Sequence, residues 1–277
     1  MGSIGHGENY ILGRNFIESV RLDAQHFLYR LQNGYTVDPR IPIGPDTRIA
    51  DMGTGTGIWL LDVASQVPPT VQLNGFDISD EQFPCQTSLP SNMTLSVMDA
   101  FDEVLEQHRG KYDIVHMRLW CAIVQDGDPS ALIKHATQLL KPGGYLQWED
   151  ISSSPQHMVM KGAEVEALYS YLARIHDAFR IELSWLADLP THAKRAGLDV
   201  VQFKMEPFLP HCVPIVTKTF LMVHNGFMDA AYKAGLPFLP PREEVDHLLA
   251  AAHHAVKNGA SYHSTPLSLL AQKPLSS

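Results

Sequence analysis

A run of three alternating glycines is the part of the sequence whose residue types and spacing most clearly indicate chemistry. Gly53, Gly55 and Gly57 follow a short apolar stretch, and a helical pattern begins directly after them. Glycine has no Cβ, so this backbone turns sharply and lies against a ligand. The first N–H groups of the following helix point toward the same ligand. The spacing therefore predicts a cofactor site. The predicted cofactor contacts in this loop are Asp51, Gly53, Thr54, Gly55, Gly57 and Trp59.

The carboxylate of Asp51 distinguishes between the cofactors that such a loop binds. Dinucleotide-binding folds have a glycine-rich turn at the same place, so the glycines alone do not identify the ligand. An acid directly before the loop would repel a pyrophosphate, whereas it accepts hydrogen bonds from the ammonium of an amino-acid moiety. No Gly-Lys-Ser/Thr follows, which excludes a Walker loop. Charge therefore favours S-adenosylmethionine over a nicotinamide dinucleotide.

Two further acids follow the next two predicted strands. Asp77 ends the second strand, where its carboxylate is expected to accept hydrogen bonds from both ribose hydroxyls. Asp99 follows the third strand and is expected to bind the exocyclic amine of adenine, with a backbone N–H from Ala100. Ile78, next to Asp77, is included among the predicted cofactor contacts. The alternative for each acid is an aspartate that only caps a loop.

The candidate general bases are Glu149 and Asp150, which leave the fifth predicted strand, and His116, which ends the fourth. Methyl transfer is an in-line displacement, so alignment and desolvation supply much of the catalysis and a base is not always needed. A thiol acceptor already contains some thiolate at neutral pH, whereas a phenol depends more on a base. The alternatives are a core histidine at His116 and loop carboxylates without a chemical role. No ligand spacing indicates a metal ion.

Strands alternate with helices over the part of the chain that carries these residues. The predicted strands cover residues 48–52, 71–78, 93–98, 112–117 and 144–148, and the predicted helices between them cover 59–66 and 129–140. This alternation indicates parallel strands joined by right-handed crossovers. The predicted fold class is α/β, with a Rossmann-like, mainly parallel sheet of seven strands, an N-terminal helical lid and a helical cover before the last strand.

The flanking segments are more helical. Apolar residues at helical spacing predict an amphipathic helix in residues 9–37 that ends at Asn33-Gly34. Further helices are expected at 162–179, 184–196, 216–233 and 242–258, with strands at 197–205 and 267–272. The chain is thus expected to form one domain, with a helical lid at 8–37, a cofactor-binding core at 46–150, and substrate-side helices and last strands at 151–277. The residues expected to supply the acceptor pocket are Phe179, Trp185, Phe220, Met222, Phe227, Met228, Tyr232 and Phe238.

Composition restricts the partners. The net charge is −9, from 30 acidic and 21 basic residues, and no basic stripe appears, so no nucleic acid is expected as a partner. The 3 cysteines are widely spaced and indicate a reducing compartment. No segment approaches the roughly 20 apolar residues that cross a bilayer. The expectation is a cytoplasmic protein with a small-molecule partner and no membrane association, and the sequence leaves its oligomeric state open.

The motifs together resemble those of class I S-adenosylmethionine-dependent methyltransferases over nearly the whole chain. The matching residues are Ala50–Gly57, Asp77, Asp99-Ala100, Tyr112–Val115 and Leu140–Gly144. Arg21-Leu22-x-x-Gln25-His26, followed by the glycine loop, is similar to methyltransferases of fungal secondary metabolism. That group includes thiomethyltransferases of the gliotoxin bis-thiomethylating type and methyltransferase-like regulators of metabolite clusters.

The resemblance implies that the N-terminal helix is a lid from which Tyr10, Arg14 or Arg21 reaches the cofactor carboxylate. Arg118-Leu119-Trp120, just beyond the fourth strand, is expected to line the methyl-transfer cleft, because active sites lie past the carboxyl ends of parallel strands. The predicted function is methyl transfer to a small molecule, with sulfur as the first expectation and oxygen or nitrogen next. The alternatives are a regulatory protein that keeps the fold, a pericyclase that uses the charge of the cofactor, and a nicotinamide-dependent dehydrogenase.

Overall fold

A computed structural model of the chain describes residues 11–275 and has a seven-stranded sheet at its centre. In chain order the strands are β1 (Arg48–Met52), β2 (Gln72–Asp77), β3 (Met93–Val97), β4 (Tyr112–Arg118), β5 (Leu140–Ser152), β6 (Val159–Lys161), β7 (Asp199–Met205), β8 (Ser261–His263) and β9 (Thr265–Gln272). The central sheet has the order β3-β2-β1-β4-β5-β9-β7, and β6 pairs with β8 in a separate two-stranded sheet.

The pairing brings the ends of the strands to one edge of the sheet. The neighbours from β3 to β5 are parallel, whereas β9 is antiparallel to both β5 and β7. In this register Asp51 lies between Gly75 of β2 and His116 of β4, and Asp77 pairs with Val97. The prediction of a mainly parallel, Rossmann-like sheet of seven strands is confirmed, and the predicted acids gather where its parallel strands end.

Seven α-helices accompany the strands in the part of the chain that the structure describes. They are α1 (Phe16–Asn33), α2 (Ile58–Ala64), α3 (Ser130–Leu139), α4 (Ala163–Ala178), α5 (Leu189–Arg195), α6 (Val213–Lys233) and α7 (Arg242–Val256). Helix α1 contacts α2 and α6, and α4, α6 and α7 pack together. The last two helices precede β9, as the predicted helical cover requires. Apolar clusters cover the sheet, so β1 and β4 are buried along nearly their whole length.

Three elements differ from the sequence prediction. The expected helix at 184–196 is a short 3₁₀ turn followed by α5, and Pro190 lies in the first turn of that helix, where the missing N–H is tolerated. Strand β5 is longer than expected and includes the turn residues 141–144, with an irregular register beside β4. The β6–β8 pair was not predicted, because three residues per strand are too few to show an alternating pattern.

Helix α1 buries a mainly polar face. It begins at Asn15, whose side chain accepts a hydrogen bond from the Glu18 N–H, and it ends at Gly34 with a φ of +79°, as expected. Most of its apolar residues are exposed, however, and Phe16 is 78% exposed. The described residues that the helix buries are Glu18, Arg21, Gln25, His26, Leu28 and Tyr29. The face toward the sheet is thus mainly polar. Hydrogen bonds and ion pairs satisfy most of its buried groups, but Arg21 Nη2 and Tyr29 Oη make no hydrogen bond to a described residue.

Candidate functional site

The glycine loop between β1 and α2 has the backbone conformation that its sequence requires. Gly53, Gly55 and Gly57 have φ values of +69°, +53° and +74°, where residues with a Cβ are strained. A Cβ on Gly53 would lie 2.9 Å from the ring of Trp120. The Thr54 N–H donates to the carbonyl oxygen of residue 76 over 2.9 Å, which fixes the loop against β2.

Asp51 is held at both carboxylate oxygens. Its Oδ1 lies 2.7 Å from His116 Nδ1, and its Oδ2 accepts a hydrogen bond from Thr54 Oγ1 over 2.7 Å. The residue is only 3% exposed, yet it lines the main cavity of the protein. A buried carboxylate with fixed oxygens is suited to binding a cation that enters this cavity.

His116 lies in the wall of the same cavity, but both of its ring nitrogens face carboxylates. Nε2 lies 3.4 Å from Glu149 Oε2, and Nδ1 faces Asp51. The imidazole also stacks on the indole of Trp59, with ring centroids 3.8 Å apart and an interplanar angle of 1°. Trp59 is buried and does not line the cavity. Trp59 therefore supports Asp51 indirectly, through His116. The direct cofactor contact predicted for Trp59 does not agree with this position.

Asp77 and Asp99 lie where the second and third strands end. Asp77 Oδ2 accepts a hydrogen bond from the Gly55 N–H over 2.8 Å, so this acid also fixes the glycine loop. Burial raises the pKa of Asp77, although backbone N–H donors and Arg14 oppose this effect. Asp99 Oδ1 accepts a hydrogen bond from the Phe101 N–H over 2.9 Å. The second oxygen of Asp77 accepts a longer hydrogen bond from the Ser79 N–H, at 3.4 Å, and both acids line the cavity.

The cavity has a volume of about 340 Å³ and joins two kinds of wall. The sheet wall lies at the strand ends, and the helical wall is formed by Leu172, His176, Phe220, Val223 and Phe227 of α4 and α6. The predicted site residues that line the cavity are Arg21, Asp51, Gly53, Thr54, Gly55, Asp77, Ile78, Asp99, Ala100, His116 and Arg118. Gly57 and Trp59 do not line the cavity, and Tyr10 lies outside the described residues.

Glu149 and Asp150, the two predicted carboxylate bases, do not line the cavity. Asn33 Nδ2 donates to Glu149 Oε1 over 2.7 Å. Although burial disfavours its charge, His116 and Arg118 hold the pKa of Glu149 below its usual value. Asp150 accepts hydrogen bonds from the Trp120 N–H at 2.9 Å and from Trp148 Nε1 at 3.0 Å, and burial raises its pKa to about 6. Both carboxylates hold other elements in place, so their positions do not favour a role as the base.

Helix α1 brings a buried arginine to the cavity. Arg21 is only 2% exposed, and its Nε donates to Glu18 Oε2 over 2.8 Å, while Nη1 donates to Gln25 Oε1 over 2.6 Å. Its Nη2 is near the same glutamate but makes no hydrogen bond to a described residue. A buried guanidinium with a spare donor at a cavity wall is suited to binding a carboxylate. Arg14 also lines the cavity.

The segment after β4 and helix α4 supply further residues of the cavity. The segment after β4 enters the site through Leu119, whose φ of +59° is rare for a residue with a branched side chain. Of the aromatic and methionine residues expected around the acceptor, Phe220 and Phe227 line the cavity, whereas Trp185 and Met228 belong to the apolar core. His176 was not predicted. The chain has 14 histidines, and a single histidine within a helix has no distinguishing sequence pattern.

Between residues 11 and 275, no group of three or more histidine, cysteine, aspartate or glutamate side chains could hold a metal ion. The same residues contain no helix that is both long and apolar enough to cross a membrane.

A family model described as a methyltransferase domain matches residues 26–202, well over half of the chain. The chain belongs to this family. Methyltransferase grgD of a Penicillium species is 36% identical over 145 residues, which cover 48% of this chain and 49% of that protein. N-methyltransferase tcpN of Claviceps purpurea is 39% identical over 137 residues, again covering 48% and 49%. The chain thus spans about half the length of the curated relatives it matches.

A solved structure agrees with the fold. Phosphoethanolamine N-methyltransferase 2 of Haemonchus contortus, in complex with phosphomonomethylethanolamine and S-adenosylhomocysteine, has a TM-score of 0.52 and 18% sequence identity. The match covers 91% of this chain and 57% of that one. The chain therefore has the Rossmann-like fold of methyltransferases that bind a product of S-adenosylmethionine.

Proposed function

We propose that this chain transfers a methyl group from S-adenosylmethionine to a small, largely apolar acceptor. The observation that carries the proposal is the arrangement of one cavity: Asp51, the glycine loop and Asp77 form part of one wall, and apolar side chains of α4 and α6 form another. The first wall matches an amino acid joined to a nucleoside, and the second matches an uncharged organic molecule.

The residues present fit this cofactor. Asp51 would bind its ammonium. Arg21, whose buried Nη2 lies 2.8 Å from Glu18 Oε2 but makes no hydrogen bond to a described residue, would bind its carboxylate. Asp77 would accept hydrogen bonds from the ribose, and Asp99 with Ala100 would meet the adenine. S-adenosylmethionine supplies a methyl carbon already activated by a positively charged sulfur, so alignment and exclusion of water are the main tasks left to the protein.

Helix α1 would act as the lid over this cofactor. Helix α1 lines the cavity with Arg21, Leu22 and Gln25. Entry of a ligand past α1 would require these residues to move. The buried face of α1 is mainly polar. Movement of α1 away from the core would therefore cost less than separation of an apolar interface, because water can form hydrogen bonds with the polar groups that become exposed.

Nitrogen is the acceptor atom that the relatives favour. One of the two similar fungal proteins is named an N-methyltransferase. Sulfur, the first expectation from the sequence, stays the second candidate. It needs less help from the protein, because a thiol ionises near neutral pH whereas an amide nitrogen does not.

The proposal is tested by incubating the protein with methyl-labelled S-adenosylmethionine and aromatic molecules that each carry one reactive group. Tryptamine, acetanilide, thiophenol and 2-naphthol supply an amine, an amide, a thiol and a hydroxyl group. We expect label in a nitrogen compound. Transfer to thiophenol alone would restore sulfur as the acceptor. Binding of S-adenosylhomocysteine without transfer to any of these molecules would contradict the proposal and favour a regulatory protein, and rearrangement of an acceptor with the cofactor intact would favour a pericyclase.

A further inference from the structure

His176 differs from the other residues of the helical wall because it is polar. It lies on α4 among Leu172, Phe220, Val223 and Phe227, and it lines the cavity with them. Its ring packs edge-on against Phe227, with centroids 5.3 Å apart and an interplanar angle of 71°. A single imidazole thus lies in the apolar wall that is proposed to bind the acceptor.

Neither ring nitrogen of His176 makes a hydrogen bond to a residue in the described part of the chain. The other buried histidines nearby are different. His116 faces carboxylates with both nitrogens, and His224 Nδ1 lies 3.3 Å from Tyr262 Oη. Buried polar groups normally have a partner, so a half-buried imidazole that faces a cavity without one is suited to bonding with a ligand there.

The surroundings of His176 keep its imidazole neutral at physiological pH. Burial lowers the pKa of His176 to about 4, although the neighbouring Asp177 opposes this effect. His224, which approaches from α6, is itself kept neutral by burial, with a pKa lowered to about 3. A neutral imidazole has one nitrogen lone pair free to accept a proton.

Asp51, Asp77 and Asp99 are assigned to the proposed cofactor, and both nitrogens of His116 face carboxylates. The remaining polar groups of the cavity are poorer bases. Burial raises the pKa of the Cys121 thiol well above its usual value, so this thiol is protonated at neutral pH. Asp128 accepts a hydrogen bond from the Ser130 N–H over 2.9 Å, which lowers its pKa. Gln125 and Ser153 are not basic, and the arginines in the wall are cations.

We infer that His176 is the acceptor-facing base of the reaction. It accepts a hydrogen bond from the N–H of the acceptor and takes that proton when nitrogen is methylated. The lone pair of nitrogen forms the new N–C bond while the S–C bond breaks and its electrons stay on sulfur. The proton ends on the imidazole and leaves to solvent. This inference rests on the proposed function, and it adds the residue that makes nitrogen a competent nucleophile.

The test uses the full chain and two variants. His176→Gln keeps a polar side chain of similar reach but cannot take a proton, whereas Phe227→Leu alters the same wall without changing a base. With the best acceptor of the panel, we expect kcat of His176→Gln to fall about 100- to 10,000-fold, with S-adenosylhomocysteine affinity within about twofold of wild type. Phe227→Leu should mainly raise KM.

A second readout does not depend on turnover. In protein with ¹³C-labelled histidine and bound S-adenosylhomocysteine, the His176 ring signal, assigned by its loss in His176→Gln, should be that of a neutral imidazole at pH 7.5. A His176 ring that is protonated at pH 7.5, or a variant whose kcat stays within about threefold of wild type, would overturn the inference alone. Absence of transfer by the wild-type protein would instead remove the proposed function and the base role with it.

Discussion

Asp51 is held in place by neighbours that the sequence does not place beside it. His116 comes from β4 and Thr54 from the glycine loop, and each lies 2.7 Å from a different oxygen of the carboxylate. Trp59 holds the imidazole flat by stacking on it. At the scale of single residues, the site is therefore a carboxylate whose orientation is set before a ligand arrives, which reduces the cost of ordering it on binding.

Gly53 gives a prediction at the same scale. Gly53→Ala places a Cβ at a φ of +69° and 2.9 Å from the Trp120 ring, so we expect a loss of about 1–2 kcal/mol in the free energy of unfolding and weaker S-adenosylhomocysteine binding. The matched control is Gly44→Ala, where a Cβ meets nothing within 4 Å, and its stability should change by less than about 0.5 kcal/mol. Equal stability and affinity in the two variants would show that the loop does not need this glycine.

At the scale of elements, α1 is bound to the core mainly through charged and polar groups. His26 Nε2 lies 3.0 Å from Asp62 Oδ2, and Arg30 Nη1 donates to the other oxygen of that carboxylate over 2.6 Å. At the end of the helix, Asn33 bonds to Glu149, which also meets Arg118 and His116. A chain of polar side chains, Asn33, Glu149 and His116, thus connects the proposed lid to the carboxylate of Asp51.

The attachment of α1 predicts a dependence of stability on pH. Burial and then Arg118 lower the pKa of His26 to about 4, although Asp62 opposes them. The unfolded chain binds this proton near pH 6.5, so the stabilisation is present above that pH and is lost as pH falls toward 4. Melting temperatures measured from pH 7 to pH 4 should fall less steeply for His26→Gln than for wild type. His254→Gln, on the exposed side of α7, should keep the wild-type slope. An unchanged slope in His26→Gln would contradict the account of this interface.

The strands of the sheet could be predicted from the sequence, whereas the orientation of α1 could not. Parallel strands buried on both faces are short apolar runs, and glycines punctuate the loop at β1, so this half of the fold was predictable. The orientation of α1 was not, because periodicity assigns the apolar face to the core, whereas here buried ion pairs hold the polar face. The candidate site divides in the same way. Asp51, Asp77 and Asp99 follow strands, but His176 becomes recognisable only when α4 is folded over the cavity.

At the scale of the whole molecule, one cavity at the end of the parallel strands would serve both ligands. The strand ends provide the charged wall and the α4–α6 pair provides the apolar wall, so cofactor and acceptor would meet where the two walls join. The three-part division of the chain at residues 37, 46 and 150 stays a prediction. The cavity is lined by residues of the cofactor-binding core and of the segment 151–277, which is consistent with a single domain.

The most direct test of the central claim compares two ligands that differ in the amino-acid moiety. S-adenosylhomocysteine carries the ammonium that Asp51 is proposed to bind, and 5′-methylthioadenosine lacks it. In calorimetric titrations, Asp51→Asn should weaken S-adenosylhomocysteine binding by about tenfold or more, as expected for loss of a charged hydrogen bond. Its affinity for 5′-methylthioadenosine should stay near that of wild type, which also shows that the cavity is intact. Unchanged affinity for S-adenosylhomocysteine, or wild-type protein that binds NAD in its place, would contradict the account.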